Sequence, residues 1–259
     1  MINTLNEDKE SNFLIICDHA SNNIPYEYKR LGLNSDLLAT HIAYDLGAKE
    51  VAYNISKLLQ CPLVVNDFSR LLIDANRGID DPTLIMKISD GNIIEGNQNI
   101  SFLVNCHEKE KRIKSYYNVY HNKISNLINR SIKRKVFPAI ISIHSFTPFW
   151  QKKKRLIDIG VLWDIDDRLS GIFFDYFKKF QSQLIIGDNK PYSGRMKNDT
   201  LYKHGTKHGL ANILIEIRQD LILSNQGQNN FAKLISEPLI ENNNNFILFE
   251  KKFYQSLAV

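Results

Sequence analysis

A single α/β domain, with a mixed, mostly parallel sheet flanked by helices, is predicted by three observations. Short apolar runs recur along the chain and stop at polar loops, as at Phe13–Ile16 before Asp18-His19 and at Ala139–His144 before Ser145. Runs of this length read as buried strands. Between them lie stretches with apolar residues every three or four positions, which read as helices. Strands that alternate with helices argue for a parallel sheet covered on both faces. The 259 residues suit one domain, 1–259, with no internal repeat and no linker.

Taken in order, Phe13–Ile16 is the first strand, broken at Asn22-Asn23 before Pro25. Residues Asn34–Leu59 predict one helix, with Asn34 or Ser35 as its cap and Gly47 as a weak point. On such a helix His41 and Asp45, four apart, share a face. Either they form a surface pair, or Asp45 points towards the His19 loop. Pro62–Asp67 is the next strand. Arg70, Asp74, Asn76 and Arg77 then crowd into eight positions among apolar residues, where charged groups must pair or bind something. Gly78–Asn105 reads as a long loop of the kind that often binds or covers a ligand.

Glu108–Arg134 predicts a long amphipathic helix with Ile113, Tyr116, Tyr117, Val119, Tyr120, Ile124, Leu127 and Ile128 inside. His107 and His121 read as packing or surface residues. The His144 strand follows, then a strand at Ile157–Asp164 and a helix at Arg168–Phe180. A short strand at Leu184–Gly187 comes next, with loops at Asn189–Gly194 and Lys203–Gly209. A strand at Ile213–Asp220 carries Glu216 inside an apolar run, and a last helix spans Asn229–Ile240 within a C-terminal helical segment, 222–259.

Composition excludes several classes. Hydrophobic residues make up 43% and charged residues 24%, as in ordinary globular proteins. No apolar run nears the ~20 residues of a membrane span. Met1–Asn12 has no basic stretch before an apolar one, so no signal peptide is expected. Cys17, Cys61 and Cys106 lack CxxC spacing and read as reduced thiols in a cytoplasmic chain. The net charge of +5 is concentrated in Arg130–Lys135 and Gln151–Arg155. Neither run is interleaved with aromatics, so both read as solvated surface and not as nucleic-acid contacts.

His19 and His144 leave separate strand ends, and a carboxylate beside them would complete a minimal catalytic zinc set. Such a site keeps one position for water, and a second carboxylate acts as its general base. Glu216, buried in an apolar run, suits that role. Arginines from 68–77 suit a substrate carboxylate, which a guanidinium grips in bidentate fashion. The residues alone point to metal-assisted hydrolysis of an amide or ester in a small acidic substrate.

Seven segments together resemble the N-formylglutamate amidohydrolase family. They are DHASNNIP (18–25), HIAYDLGA (41–48), SRLLIDANR (69–77), IHSFTP (143–148), DIGVLWD (158–164), NKPYSG (189–194) and IEIRQDL (215–221), in order over about 13–221. The resemblance implies a zinc-carboxypeptidase-like fold and one zinc ion per chain, held by His19, His144 and a third ligand. Asp45 is the first choice for that ligand. Asn22 is the rival, standing where the carboxypeptidase His-x-x-Glu pattern has its glutamate. It further implies Glu216 as general base, and Arg77 with Asn76 and Arg70 on a substrate carboxylate. Tyr192, Ser193 and Gly194 would line the pocket, while Arg218 would pair within the core. The implied substrate is a small acidic N-acyl amino acid such as N-formylglutamate. A zinc peptidase or amidase with a larger substrate, and a catalytically silent ligand-binding protein, remain as alternatives.

Overall fold

Alternation along the strands decides which side chains meet which layer. The computed structural model describes residues 2–100 and 105–259; residues 101–104 of the predicted long loop lie outside the described residues. The strands are β1 Ile2–Leu5, β2 Phe13–Cys17, β3 Leu63–Asn66, the hairpin β4 Ile88–Ser89 with β5 Asn92–Ile93, and β6 Ala139–Phe146. Then come the hairpin β7 Phe149–Trp150 with β8 Lys153–Lys154, and β9 Ile159–Leu162, β10 Ile186–Asp188 and β11 Asn212–Arg218. The helices are α1 Ser35–Leu38, α2 Ala48–Leu59, α3 Cys106–Arg112, α4 Asn118–Lys133, α5 Arg168–Phe180, α6 Thr200–His204 and α7 Asn225–Glu241.

One seven-stranded sheet runs β1-β3-β2-β6-β11-β9-β10. Strands β3, β2, β6 and β11 are mutually parallel, while β1 and β9 pair antiparallel with β3 and β11. The mixed, mostly parallel α/β fold is therefore as predicted. Odd-numbered strand residues such as Ile15, Ile141 and Ile215 pack against α2, α5 and α7. Even-numbered ones such as Leu14, Ile16, Ile140 and Leu214 pack against α4 and the 68–75 segment. Each buried Ile or Leu contributes about 1.5–3 kcal/mol.

Strand β2 leads through α2 to β3 on one side. The chain then returns past β2 through α4, on the opposite face, to β6. A crevice opens at the carboxyl ends of β2 and β6, where connections diverge in this way.

The helix predicted over 34–59 is broken. Helix α1 ends at Leu38 and α2 begins at Ala48, with turns between. Asn34 caps α1 by accepting the Leu37 N–H at 2.8 Å. The break is enforced at Gly47, whose φ is +77° and whose missing Cβ would stand 2.5 Å from the Ile222 carbonyl oxygen. Periodicity does not register this constraint. The predicted 108–134 helix is interrupted by a π turn at Ile113–Tyr117, and Val119 faces solvent rather than the core. Lys203 and His204 lie in α6, not in a loop. Helix α7 starts at Asn225, where the Ser224 hydroxyl accepts the Gly227 N–H. After Glu241 the C-terminal segment is helical only in a turn at Phe246–Phe249. Among the described residues no helix is long and apolar enough to cross a membrane.

His121 is buried, as a packing residue should be. Its Nδ1 lies 2.8 Å from His204 Nε2, and its Nε2 lies 3.1 Å from the Ala75 carbonyl. Burial and the Lys203 charge push His204 down to about 3, and burial holds His121 well below its ordinary value.

Gly47→Ala should cost about 1–3 kcal/mol in urea unfolding, because an L side chain cannot relax at that φ; an unchanged midpoint would contradict the constraint. His204 also makes stability depend on pH. Its unfolded value is about 6.5, so between about 6.5 and 3 the unfolded chain binds the extra proton and stability falls as pH falls. Between pH 6.5 and 4.5, above the carboxylate range, His204→Gln should show a shallower loss than wild type. Equal slopes would exclude the buried neutral histidine.

Candidate metal centre and active site

The even face of the sheet changes from apolar to polar towards the carboxyl edge. Along β6 it reads Ile140, Ser142, His144 and then Phe146, and along β11 Leu214, Glu216, Arg218. In register, Glu216 is the partner of His144. At the end of β2 the same face continues with Asp18, and His19 follows. The His19 carbonyl accepts the Asp45 N–H at 2.8 Å, which fastens the turn between α1 and α2 over the crevice.

His19, Asp45 and His144 converge there, all buried. Each offers one ligand atom, and these atoms lie within 4.8 Å of one another. Asp45 Oδ2 is 2.8 Å from His144 Nδ1 and 3.4 Å from His19 Nδ1. Although that last separation is short enough for an ion pair, His19 Nδ1 makes no hydrogen bond. The far nitrogens are engaged by other acids. His19 Nε2 is 2.7 Å from Asp74 Oδ1, and His144 Nε2 is 3.0 Å from both Asp18 Oδ2 and Ser142 Oγ. A histidine whose outer nitrogen is held by a carboxylate presents its inner nitrogen to a metal in a fixed tautomer.

Further contacts fix those acids. Asp18 accepts from the Ser142 and Thr200 hydroxyls at 3.0 and 2.7 Å. Asp74 accepts from Arg70 Nη2 and from the Asn76 N–H, both at 2.9 Å. Arg70 Nη1 lies 3.6 Å from Asp45.

Electrostatics favour a cation at this point. Burial works to raise Asp18, but the His144 hydrogen bond and charge outweigh it and hold Asp18 at about 2. Asp45 and Asp74 are likewise held below the carboxylate range, against burial, by the histidines and, for Asp74, by Arg70. Burial opposes a charged His144, yet its hydrogen bonds to Asp18 and Asp45 raise it well above the usual value. Three ionised aspartates thus draw positive charge to the point where Asp45 Oδ2 meets the two Nδ1 atoms. Two imidazoles and a carboxylate suit zinc in donor type and number. The unpartnered His19 Nδ1 is the atom such an ion would satisfy.

Glu216 is buried beside this point. Its Oε2 has no hydrogen-bond partner, and burial pushes its pKa up to about 7. The cluster forms the floor of a cavity of about 310 Å³.

The remaining predicted residues divide. Arg70, Asn76, Arg77, Tyr192 and Ser193 line the cavity. Gly194 does not line it, and packs where a Cβ would meet the Trp163 backbone nitrogen at 2.3 Å. Asn22 is exposed and donates its amide to the Leu38 carbonyl at 2.8 Å, away from the histidines. His41 and Asp45 share no helical face, since both lie in the turns between α1 and α2; His41 pairs with Asp90 at 3.4 Å. Arg218 pairs with Asp158 and Asp220, at 2.8 and 2.7 Å. Sequence reasoning missed the histidine-backing roles of Asp18 and Asp74, and the part of Ser142 and Thr200 in fixing Asp18. Signals existed in the Asp18-His19 neighbours and in the crowded charges around Asp74.

A family model, N-formylglutamate amidohydrolase, matches residues 11–223. Among solved structures, a gene product of Agrobacterium tumefaciens has a TM-score of 0.85 at 31% identity, over 93% of this chain and 95% of that one. An N-formylglutamate amidohydrolase from Ralstonia eutropha shares the fold, with a TM-score of 0.63 at 17% identity over 94% of this chain and 97% of that one. No curated protein matches the sequence.

Asp74→Asn should keep the fold and weaken zinc affinity about 10–100-fold, as loss of an outer-nitrogen partner does. Competition with a chromophoric chelator measures this. Unchanged affinity would mean that Asp74 does not orient a ligand.

Proposed function

The chain belongs to the N-formylglutamate amidohydrolase family, and on that premise we propose that it hydrolyses the amide bond of a small N-acyl amino acid, with zinc held by His19, Asp45 and His144. The observation that carries this reading is one buried point where two imidazole nitrogens and a carboxylate oxygen converge, beside a carboxyl group with no partner. Zinc, when bound, supplies Lewis-acid charge that polarises a carbonyl and lowers the pKa of water.

The chain's own residues do the rest. Glu216 takes a proton from the attacking water and returns it to the leaving amine. Its burial and its value near 7 support that role, because a general base works best with a pKa close to the working pH. The new C–O bond forms from water as the C–N bond breaks, giving a carboxylic acid and an amine. Arg77 holds the substrate carboxylate, with Asn76 beside it. Tyr117 fixes this segment by donating its hydroxyl to the Arg77 carbonyl at 2.6 Å. Arg70 helps to keep Asp74 ionised and holds Asp74 and Asp45 in place rather than gripping substrate, since it is already paired with both. The cavity lies near the lower end of the usual range for ligand sites, about 300–1,000 Å³, which suits a small substrate over a long peptide.

Zinc-loaded protein should release formate from one or more of a panel of N-formyl amino acids. Glu216→Gln should bind zinc normally while kcat falls about 10²–10⁴-fold. Full activity in that variant would remove Glu216 from the chemistry.

A further inference from the structure

The cavity has a second wall that the proposed chemistry does not use. Beside the histidines it is lined by Phe146, Trp150, Leu162, Tyr192 and Leu214, with Phe146 two residues beyond His144 on the same face of β6. Trp150 and Tyr192 stand at its mouth, 42% and 41% exposed. Large aromatic surface left open beside a polar site marks a place for a ligand.

This wall is held in position. Arg155 lies 5.4 Å from the Phe146 ring centre, 5.4 Å from Trp150 and 5.0 Å from Tyr192, and donates to the Tyr192 hydroxyl at 2.8 Å. One guanidinium thus fixes three rings. The basic run Gln151–Arg155 therefore has a role beyond solvated surface. It closes the hairpin in which Trp150 pairs with Lys153 and Phe149 with Lys154, and it supplies the cation behind the rings. Fixing them before binding reduces the ordering cost of recognition.

The charges lining the cavity argue in the same direction. Among the described residues, no lysine lines it, and its arginines are Arg70 and Arg77. Arg70 is paired with Asp45 and Asp74. Arg77, held more loosely with Asp81 at 3.9 Å, is left for one substrate carboxylate. A second carboxylate, on the substrate side chain, would meet rings, neutral hydroxyls and the acids Asp90, Asp199 and Glu216, with no further lysine or arginine among the lining residues. Placing an anion there without a partner is costly, whereas an aromatic ring would stack.

We propose that Phe146, Trp150 and Tyr192 form a side-chain subsite selecting N-acyl derivatives of aromatic amino acids over those of glutamate. The inference deepens the hydrolase reading and takes its orientation of the substrate from it. The test is calorimetric titration of the zinc-loaded Glu216→Gln protein with N-formyl-L-phenylalanine and with N-formyl-L-glutamate. Hydrolysis by the wild type is assayed separately. N-formyl-L-phenylalanine should bind at least about tenfold more tightly. Trp150→Ala in the same background should abolish the preference, and Trp150→Phe should keep most of it. Equal or tighter binding of N-formyl-L-glutamate would overturn the subsite, as would binding of neither compound. Glutamate binding that disappears in Arg155→Ala would also overturn it, by making Arg155 a carboxylate receptor. Aromatic preference in binding without hydrolysis by the wild type would support the subsite and reject the chemistry.

Discussion

Three aspartates buried around two histidines form the interaction on which the rest of the molecule depends. Asp18, Asp45 and Asp74 come from three distant parts of the chain, and each is anchored on the imidazoles of His19 and His144. A buried charge stripped of its partner costs about 3–5 kcal/mol, so no member of the set is independent. The elements that deliver them must be in place together. These are the carboxyl ends of β2 and β6, the turn opened at Gly47, and the 68–77 segment. Arg112 braces that last segment from α3, donating to the Leu72 carbonyl at 2.9 Å. The polar cluster and the fold are thus coupled.

The sheet supplies the other half of the arrangement. Its odd face is apolar up to Ser145 at the end of β6 and seats α2, α5 and α7. Its even face is apolar at the amino end, where α4 packs, and turns polar beyond Ile140 and Leu214 until Phe146 ends β6. A two-residue period therefore does two tasks in the same strands. One face holds the domain together, and the last residues of the other carry the chemistry. The parallel register of β6 and β11 sets His144 and Glu216 side by side without any loop to position them.

This division explains what could be read from the sequence. Strand ends bearing His19, His144 and Glu216 announced themselves as apolar runs interrupted by polar residues. Helix α5 appeared with the bounds its periodicity gave, Arg168–Phe180. The turn at Asp45 did not, because Ile42, Leu46 and Val51 continue a helical rhythm while the break depends on the backbone of Gly47 against Ile222. Asp74 backs His19 across 55 residues, a contact that no local pattern encodes. The aromatic wall was hidden for a similar reason. Along the chain the rings of Phe149 and Trp150 and the charges of Gln151–Arg155 are merely adjacent, and only the hairpin interleaves them. Family resemblance supplied the choice of Asp45, which spacing left open.

The central claim is that His19, Asp45 and His144 jointly hold one zinc ion at the point where the three aspartates draw positive charge. Anomalous X-ray scattering at the zinc edge, from crystals of the zinc-loaded protein, tests it most directly. The account predicts one peak per chain, about 2.0–2.2 Å from the Nδ1 atoms of both histidines and from an Asp45 oxygen. Protein shown to be correctly folded but with no peak at that point, or with its zinc bound elsewhere, would contradict it.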